Sequence, residues 1–380
     1  MALWQRWQAL RNVLHPVKTL GCSLLHNEAE AARQQSEVAA REAGGARQHS
    51  GIDVFDRELK RAHRARAAAL RRRDDPLLST VAERLLDRLE DCVAKFPTAV
   101  ILGGAGDYVA ERLPLGRRGV ERVIHIDTSP EMIRLAQERR AQRQADDPSK
   151  QWPEVHYLVG DEESLPLAPG SVDVVISCLG LHWANDLPGA MAQARLALRP
   201  DGLFLAAMYG GETLQELRIA CAVAQQEREG GVSPFVSPLA QVRDAGNLLT
   251  RADLALPTVD VDSFVMNYPS PLELVSHLRS MGESSALASR RRGPLRRGSA
   301  LAAAAAYQGM FPAEGGEGIA ATYQVMYMTG WSPSKSQPRA AKRGSANITF
   351  EEFAAQLESR GEGGDGPAPQ SPQQPPGKAA

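Results

Sequence analysis

The chain has 380 residues, a hydrophobic content of 43% and a formal net charge of -1, enough for one sizeable core with flanks and with no general pull towards nucleic acid. Its four cysteines, Cys22, Cys92, Cys178 and Cys221, are far apart and form no CxxC pair, which argues against a disulfide framework or zinc knuckle and for a reducing compartment. No apolar run reaches the ~18 residues that a membrane-spanning helix needs.

Residues 1–27 contain Arg6, Arg11 and Lys18 and no acid until Glu28. Trp4, Trp7, Leu10 and Leu14 recur at three- and four-residue spacing, the pattern of an amphipathic mitochondrial transit helix. A helix docked on the protein's own surface is the alternative. The stretch to residue 50 lacks apolar periodicity and reads as a spacer. Residues 51–97 form a helical lead-in. Its first half, IDVFDRELKRAHRARAAALRRR, is strongly basic, and three readings stand: a solvated face, a site for an acidic partner, or one for an anionic membrane surface. Asp75 and Pro76 then open a helix with Leu78, Val81, Leu85, Leu86 and Leu89 on one face.

From Thr98 the chain reads TAVILGGAGDYVAERL, strand then tight turn then helix, with Gly103, Gly104 and Gly106 in the turn. A second apolar run, Arg122 to Ile126, ends at Asp127, about 20 residues beyond the glycines, where a nucleotide-binding unit places its ribose acceptor. Ser129 and Pro130 open the next helix. Strand three, Val155 to Val159, ends at Gly160, Asp161 and Glu162, and strand four, Val172 to Cys178, ends at Leu179, Gly180, Leu181, His182 and Trp183. A helix from Leu187 to Leu198, a turn at Pro200 to Gly202 and a fifth strand, Leu203 to Tyr209, complete a doubly wound pattern. Helices follow after Gly211 and near Leu239 to Leu249, with a loop from Gly230 to Pro238 between them. Two last strands, Thr258 to Phe264 and Thr322 to Thr329, read as an antiparallel pair closing one sheet edge. Between them lie a helix at Leu272 to Met281, a basic loop at Arg290 to Arg297 and an Ala-rich helix to Met310. Residues 360–380 have no core-forming pattern and read as a disordered tail.

Ligands of an open α/β sheet gather at the carboxyl ends of its strands. That rim collects the glycine turn, Asp127, Asp161 with Glu162, and Leu179 with His182 and Trp183. The ribose hydroxyls of an adenosine cofactor suit Asp127, and an adenine amine suits Asp161. GGAGDY lacks the Lys-Ser/Thr of a phosphate loop, so a cofactor uncharged at its middle or cationic is expected over a polyphosphate; S-adenosylmethionine fits, with Trp183 or Tyr108 as a cation–π face. His125-x-Asp127 is also half of a two-histidine, one-carboxylate iron site whose third ligand is unidentified. Each residue has a plainer reading: a strand terminus for Asp161 and Glu162, a satisfied histidine for His182, core for Trp183.

The run DEESLPLAPGSVDVVISCLGLHWANDLPGAM with LALRPDG resembles class I S-adenosylmethionine-dependent methyltransferases. FDRELKR, LHWANDLP, AMYGGETLQELR, EREGGVSP, NYP, MGES, LAAAAAY, ATYQVMYMTGW and RGSANITF resemble, in order, the mitochondrial complex I assembly factor 5 family, over about residues 52–353. This resemblance implies a Rossmann-like, seven-stranded methyltransferase fold with helical additions. Residues 98–330 would form the domain with a helical insertion at 265–310, and 331–359 a C-terminal extension. It also implies hydroxylation of an arginine in an iron–sulfur subunit or early assembly intermediate of complex I, in the mitochondrial matrix or on the matrix face of the inner membrane. The implied catalytic side is His182 and Trp183; the implied cofactor residues are Gly103, Gly104, Gly106, Asp127, Asp161, Glu162 and Leu179, with no metal ligands. The glycine pattern departs from the family's: Ile101, Ala105 and Asp107 stand where an acid and two glycines are expected. Weakened cofactor binding follows, and with it two other readings, a non-catalytic assembly chaperone and a small-molecule or carrier-protein methyltransferase.

Overall fold

The computed structural model describes residues 53–290 and 296–338, together with 349, 351 and 352. The transit segment, the spacer, most of the C-terminal extension and the tail lie outside the described residues. So does most of the basic loop after Arg290. The described residues up to Lys335 form one compact unit.

Two helices precede the sheet: α1 (Arg57–Leu70), capped by the Asp56 side chain, and α2 (Pro76–Glu90), capped by Asp75 with Pro76 in its first turn. The parallel part of the sheet alternates strands and helices: β1 (Thr98–Leu102), α3 (Gly106–Glu111), β2 (Arg122–Asp127), α4 (Pro130–Asp146), β3 (Glu154–Val159), β4 (Val172–Cys178), α5 (Leu187–Ala197) and β5 (Leu198–Tyr209). After these come α6 (Gln215–Glu229), α7 (Val242–Arg251), β6 (Ala255–Tyr268), α8 (Pro271–Met281), α9 (Arg297–Met310) and β7 (Ile319–Trp331). The seven strands run in the order β3-β2-β1-β4-β5-β7-β6. Only the β5–β7 and β7–β6 pairs are antiparallel, as the last two strands' pattern predicts.

β1 and β4 lie at the switch in strand order, and both are almost wholly buried, which explains their near-continuous apolar sequences. Two apolar layers cover the sheet. Leu78, Val81, Leu85 and Leu86 of α2 pack with Ile101, Tyr108 and Tyr323 on one face; Met191 and Ala194 of α5 pack with Phe204 and Met326 on the other. The helical lead-in thus belongs to the main core.

Three strands run clearly longer than the sequence reading: β6 and β7 extend at both ends, so that residues 265–268 of the expected helical insertion are strand, and β5 extends at its start. β5 begins at Leu198, not Leu203: Leu198 pairs with Val172 and Leu203 with Val174, so Pro200 to Gly202 form a bulge inside the strand, with Asp201 at φ 62°. The turn chemistry is present, but it interrupts a longer strand. Among the described residues no helix is long and apolar enough to cross a membrane.

Candidate functional site

The turn after β1 is held by backbone bonds: the Gly103 N–H donates to the Ile126 carbonyl (2.8 Å) and the Ala105 N–H to the Cys178 carbonyl (2.6 Å). Gly103 and Gly104 have φ of 46° and 57°, and a Cβ on Gly104 would stand 2.0 Å from the Cys178 carbonyl oxygen, so the shifted glycine pair is required here. Gly106 opens α3. Leu179, at φ 55°, turns the chain out of β4 beside this loop. Asp127, Asp161, Glu162, His182 and Trp183 arrive on the same rim, as predicted.

Another element has taken their polar groups. Arg57, Lys60, Arg64 and Arg71 recur along one face of α1 and its C-cap, and each meets a carboxylate: Arg57 and Arg64 on the rim, Lys60 at Glu283 after α8 and Arg71 at Asp107 of α3. Arg57 binds Asp161 and Glu162 (both 2.6 Å) and donates to the Trp183 carbonyl (3.0 Å). Arg64 grips both oxygens of Asp127, its Nε lying 3.1 Å from Oδ1, and donates to the Gly104 carbonyl at 2.9 Å. Arg71 holds Asp107 (3.0 and 2.8 Å), and Arg139 of α4 binds the same carboxylate at 2.7 Å. Burial opposes a charge on Asp107, but the two guanidinium groups keep its pKa below the ordinary value. Arg57, Lys60, Arg64 and Arg71 of the basic run are thus spent on carboxylates of the fold, while Arg61, Arg66, Arg72 and Arg73 stay exposed.

The aromatic faces proposed for a sulfonium are also used. The Lys60 ammonium stands 3.6 Å from the Trp183 ring centroid, and Arg71, Arg112 and Arg139 surround the fully buried Tyr108 ring. Between α1 and the rim, the space lined by Gly104, Glu162, Leu179 and Trp183 shrinks to ≈ 10 Å³. Ile101, fully buried in the core, offers no acceptor. In this arrangement the rim does not fit S-adenosylmethionine. The half iron site fares no better, since Arg64 engages Asp127 and among the described residues no three His, Cys, Asp or Glu side chains gather as metal ligands.

His182 and Trp183, on a single turn of 3₁₀ helix after β4, are tied to a residue that the sequence reading passed over. Glu283 Oε2 accepts from His182 Nε2 (3.0 Å) and Trp183 Nε1 (2.8 Å), and Oε1 faces Lys60 at 3.3 Å. Glu283 is placed by the end of α8, where Gly282 at φ 82° and the Glu283 N–H to Leu278 carbonyl bond (2.8 Å) close a Schellman motif. Burial penalises its charge, yet Lys60 and His182 hold its pKa well below the ordinary value. Burial also lowers His182 and brings Lys60 down to about 7. MGES carried the signal: a glycine helix stop followed by an acid, legible only once α8 is known to end against the rim. On the far side of His182 and Trp183 lies an open cavity of ≈ 330 Å³, also bounded by Tyr209, Phe235 and Glu283.

Comparison with known proteins agrees with this architecture. A methyltransferase domain family matches residues 102–206. "Arginine-hydroxylase NDUFAF5, mitochondrial" of Danio rerio is 41% identical over 306 residues, covering 80% of this chain and 90% of the relative. The chain belongs to this family. Its Homo sapiens member is 40% identical over 307 residues, covering 80% of this chain and 84% of the relative. More distant is the malonyl-[acyl-carrier protein] O-methyltransferase of Xylella fastidiosa, 33% identical over 285 residues, 75% of this chain and 90% of the relative.

Proposed function

We propose that this protein acts in mitochondria, on the matrix side of the inner membrane, as a complex I assembly factor that hydroxylates an arginine of an iron–sulfur subunit. Kinship with mitochondrial arginine hydroxylases supports the activity. The observation that carries the location of the chemistry is that the cavity at His182 and Trp183 is open while the cofactor rim is closed by α1. The role of this chain's residues follows from their contacts. Glu283, ionised, accepts from the His182 Nε2–H and the Trp183 indole N–H, and although its charge favours protonation of the ring, burial lowers the His182 pKa below its ordinary value.

The test is the intact and fragment mass of the iron–sulfur subunit made with and without this protein. Gain of one oxygen on an arginine is the expected result. Gain of a methyl group would assign the carrier-protein type of chemistry instead. No change would favour the assembly-chaperone reading, which the closed rim specifically supports: there the carboxylates survive as sockets for α1 and not as cofactor ligands.

A further inference from the structure

A chain of rings leads from the cavity wall into the core. Trp183, His182, Tyr209 and Tyr323 follow one another with centroids 5.5, 5.0 and 6.0 Å apart. It ends in a hydrogen-bonded row. The Tyr323 and Tyr268 hydroxyls lie 2.9 Å apart, the Tyr268 hydroxyl is 2.7 Å from His277 Nδ1, and His277 Nε2 is 2.6 Å from Asp75 Oδ2. All four side chains of the row are buried.

One arrangement of hydrogens satisfies the row. Tyr323 has no exposed surface, and among the described residues its hydroxyl bonds Tyr268 alone, so its O–H donates to the Tyr268 oxygen. Tyr268 then donates to His277 Nδ1, and His277 Nε2–H donates to Asp75, whose other oxygen caps α2 through the Leu78 N–H (3.1 Å). In the reverse order, with Nδ1–H donating to Tyr268, the Tyr323 hydrogen would be buried without an acceptor, at ~1–3 kcal/mol. Tyr268 is therefore a buried phenol held by a neutral imidazole that is backed by a carboxylate.

Losing an electron turns a phenol into a strong acid, and a buried phenol without a base must keep the positive charge in an apolar interior. Of the described tyrosines, Tyr268 alone hydrogen-bonds a ring nitrogen; Tyr209 meets the Met281 sulfur (4.0 Å) and Tyr307 a backbone carbonyl. At Tyr268 the departing proton lands on His277 and pairs Asp75 with an imidazolium, so oxidation converts a buried anion into a neutral pair.

We propose that Tyr268 is a redox-active tyrosine that drains oxidising equivalents from the cavity. The oxidant is an oxygen-derived one-electron oxidant of the hydroxyl-radical class; its source rests on the hydroxylase reading, whereas the redox property of Tyr268 does not. The oxidant gains one electron and becomes hydroxide, and that electron leaves Tyr268 by way of Tyr323 and Tyr209. The Tyr268 O–H bond breaks, its proton forms an N–H bond at His277 Nδ1, and a neutral phenoxyl radical remains, accepting from the Tyr323 O–H.

The experiment oxidises the full chain with photogenerated tris(bipyridine)ruthenium(III), persulfate taking the sensitiser's electron, and records electron paramagnetic resonance on protein made with ordinary or ring-deuterated tyrosine. The expected result is a tyrosyl signal that narrows with the label and, in heavy water, couples to two exchangeable deuterons, from His277 and Tyr323. Tyr268→Phe should lose it. His277→Gln offers an amide carbonyl to the Tyr268 O–H but cannot take up a proton, so it should stay folded by circular dichroism and lose the signal as well. A purely structural row would leave the yield of that variant unchanged. An undiminished yield in His277→Gln, a signal that survives Tyr268→Phe, or a wild type with no radical or no exchangeable deuterons would each overturn the assignment; the wild-type couplings decide even where a variant does not fold. The subunit mass measurement is independent: oxygen gained with no Tyr268 radical would sink the redox assignment and spare the hydroxylase, and a Tyr268 radical with no oxygen gained would do the opposite.

Discussion

Glu283 is the residue on which the acceptor side depends, because three donors from two other elements converge on one buried carboxylate. Glu283→Gln would leave Lys60 as a buried cation without a counter-charge, and breaking such a pair from one side costs ~3–5 kcal/mol. Urea unfolding should show that loss, and Lys60→Met in the same chain should recover much of it, since an apolar stem of similar volume needs no partner. The pH dependence has a determined sign. Lys60 titrates near 7 in the folded protein against 10.5 in the unfolded chain, so between those values the unfolded state binds more protons. Its contribution is therefore fully present above 10.5 and is lost as pH falls towards about 7. In Lys60→Met, the urea midpoint should rise less across that window than in the wild type; an identical rise would show that Lys60 is not the titrating group.

At the scale of the element, α1 is at once the best example of what the sequence hid and the reason the cofactor motif is altered. Periodicity gave the helix, and the glycine turn with Asp127 gave the rim, because each follows from local spacing. Their pairing is a tertiary fact: Arg57, Arg64 and Arg71 carry no sign in the sequence that their carboxylates lie 36 to 105 residues away. The same pairing changes what a repair of the motif would do. Ile101→Asp with Ala105→Gly restores the family's pattern on paper, but Ile101 is fully buried among apolar neighbours, so the new carboxylate would be desolvated while α1 still filled the rim. That double variant should lose stability and gain no calorimetric heat with S-adenosylmethionine. Asp127→Ala, for its part, should be destabilised by ~3–5 kcal/mol through the stranded Arg64 guanidinium. If wild type binds S-adenosylmethionine while the amide-exchange protection of α1 stays unchanged, the closed rim is not the ground state.

For the whole molecule, the doubly wound sheet and its antiparallel edge were legible because strand alternation and turn residues are written locally, whereas the β5 bulge and the Glu283 hub arise from contacts between distant segments. The same logic assigns the N-terminal segment a separate role. Every buried residue among those described lies between Phe55 and Ser332, and the first of them is Phe55, which bonds Asn185 through N–H and carbonyl and packs edge-on against Trp183 at 5.2 Å. Cutting before this residue removes no described core contact, whereas cutting through it would expose Trp183 and unseat α1. Deleting residues 1–50 should therefore leave the thermal midpoint unchanged and abolish import into isolated mitochondria, since the basic, acid-free amphipathic pattern of residues 1–27 is then lost. A parallel deletion through residue 60, which removes Phe55, Arg57 and Lys60 together, should lower the midpoint sharply. Efficient import of the shorter deletion would refute the transit assignment, and a lowered midpoint in it would mean that the first helix docks on the folded unit.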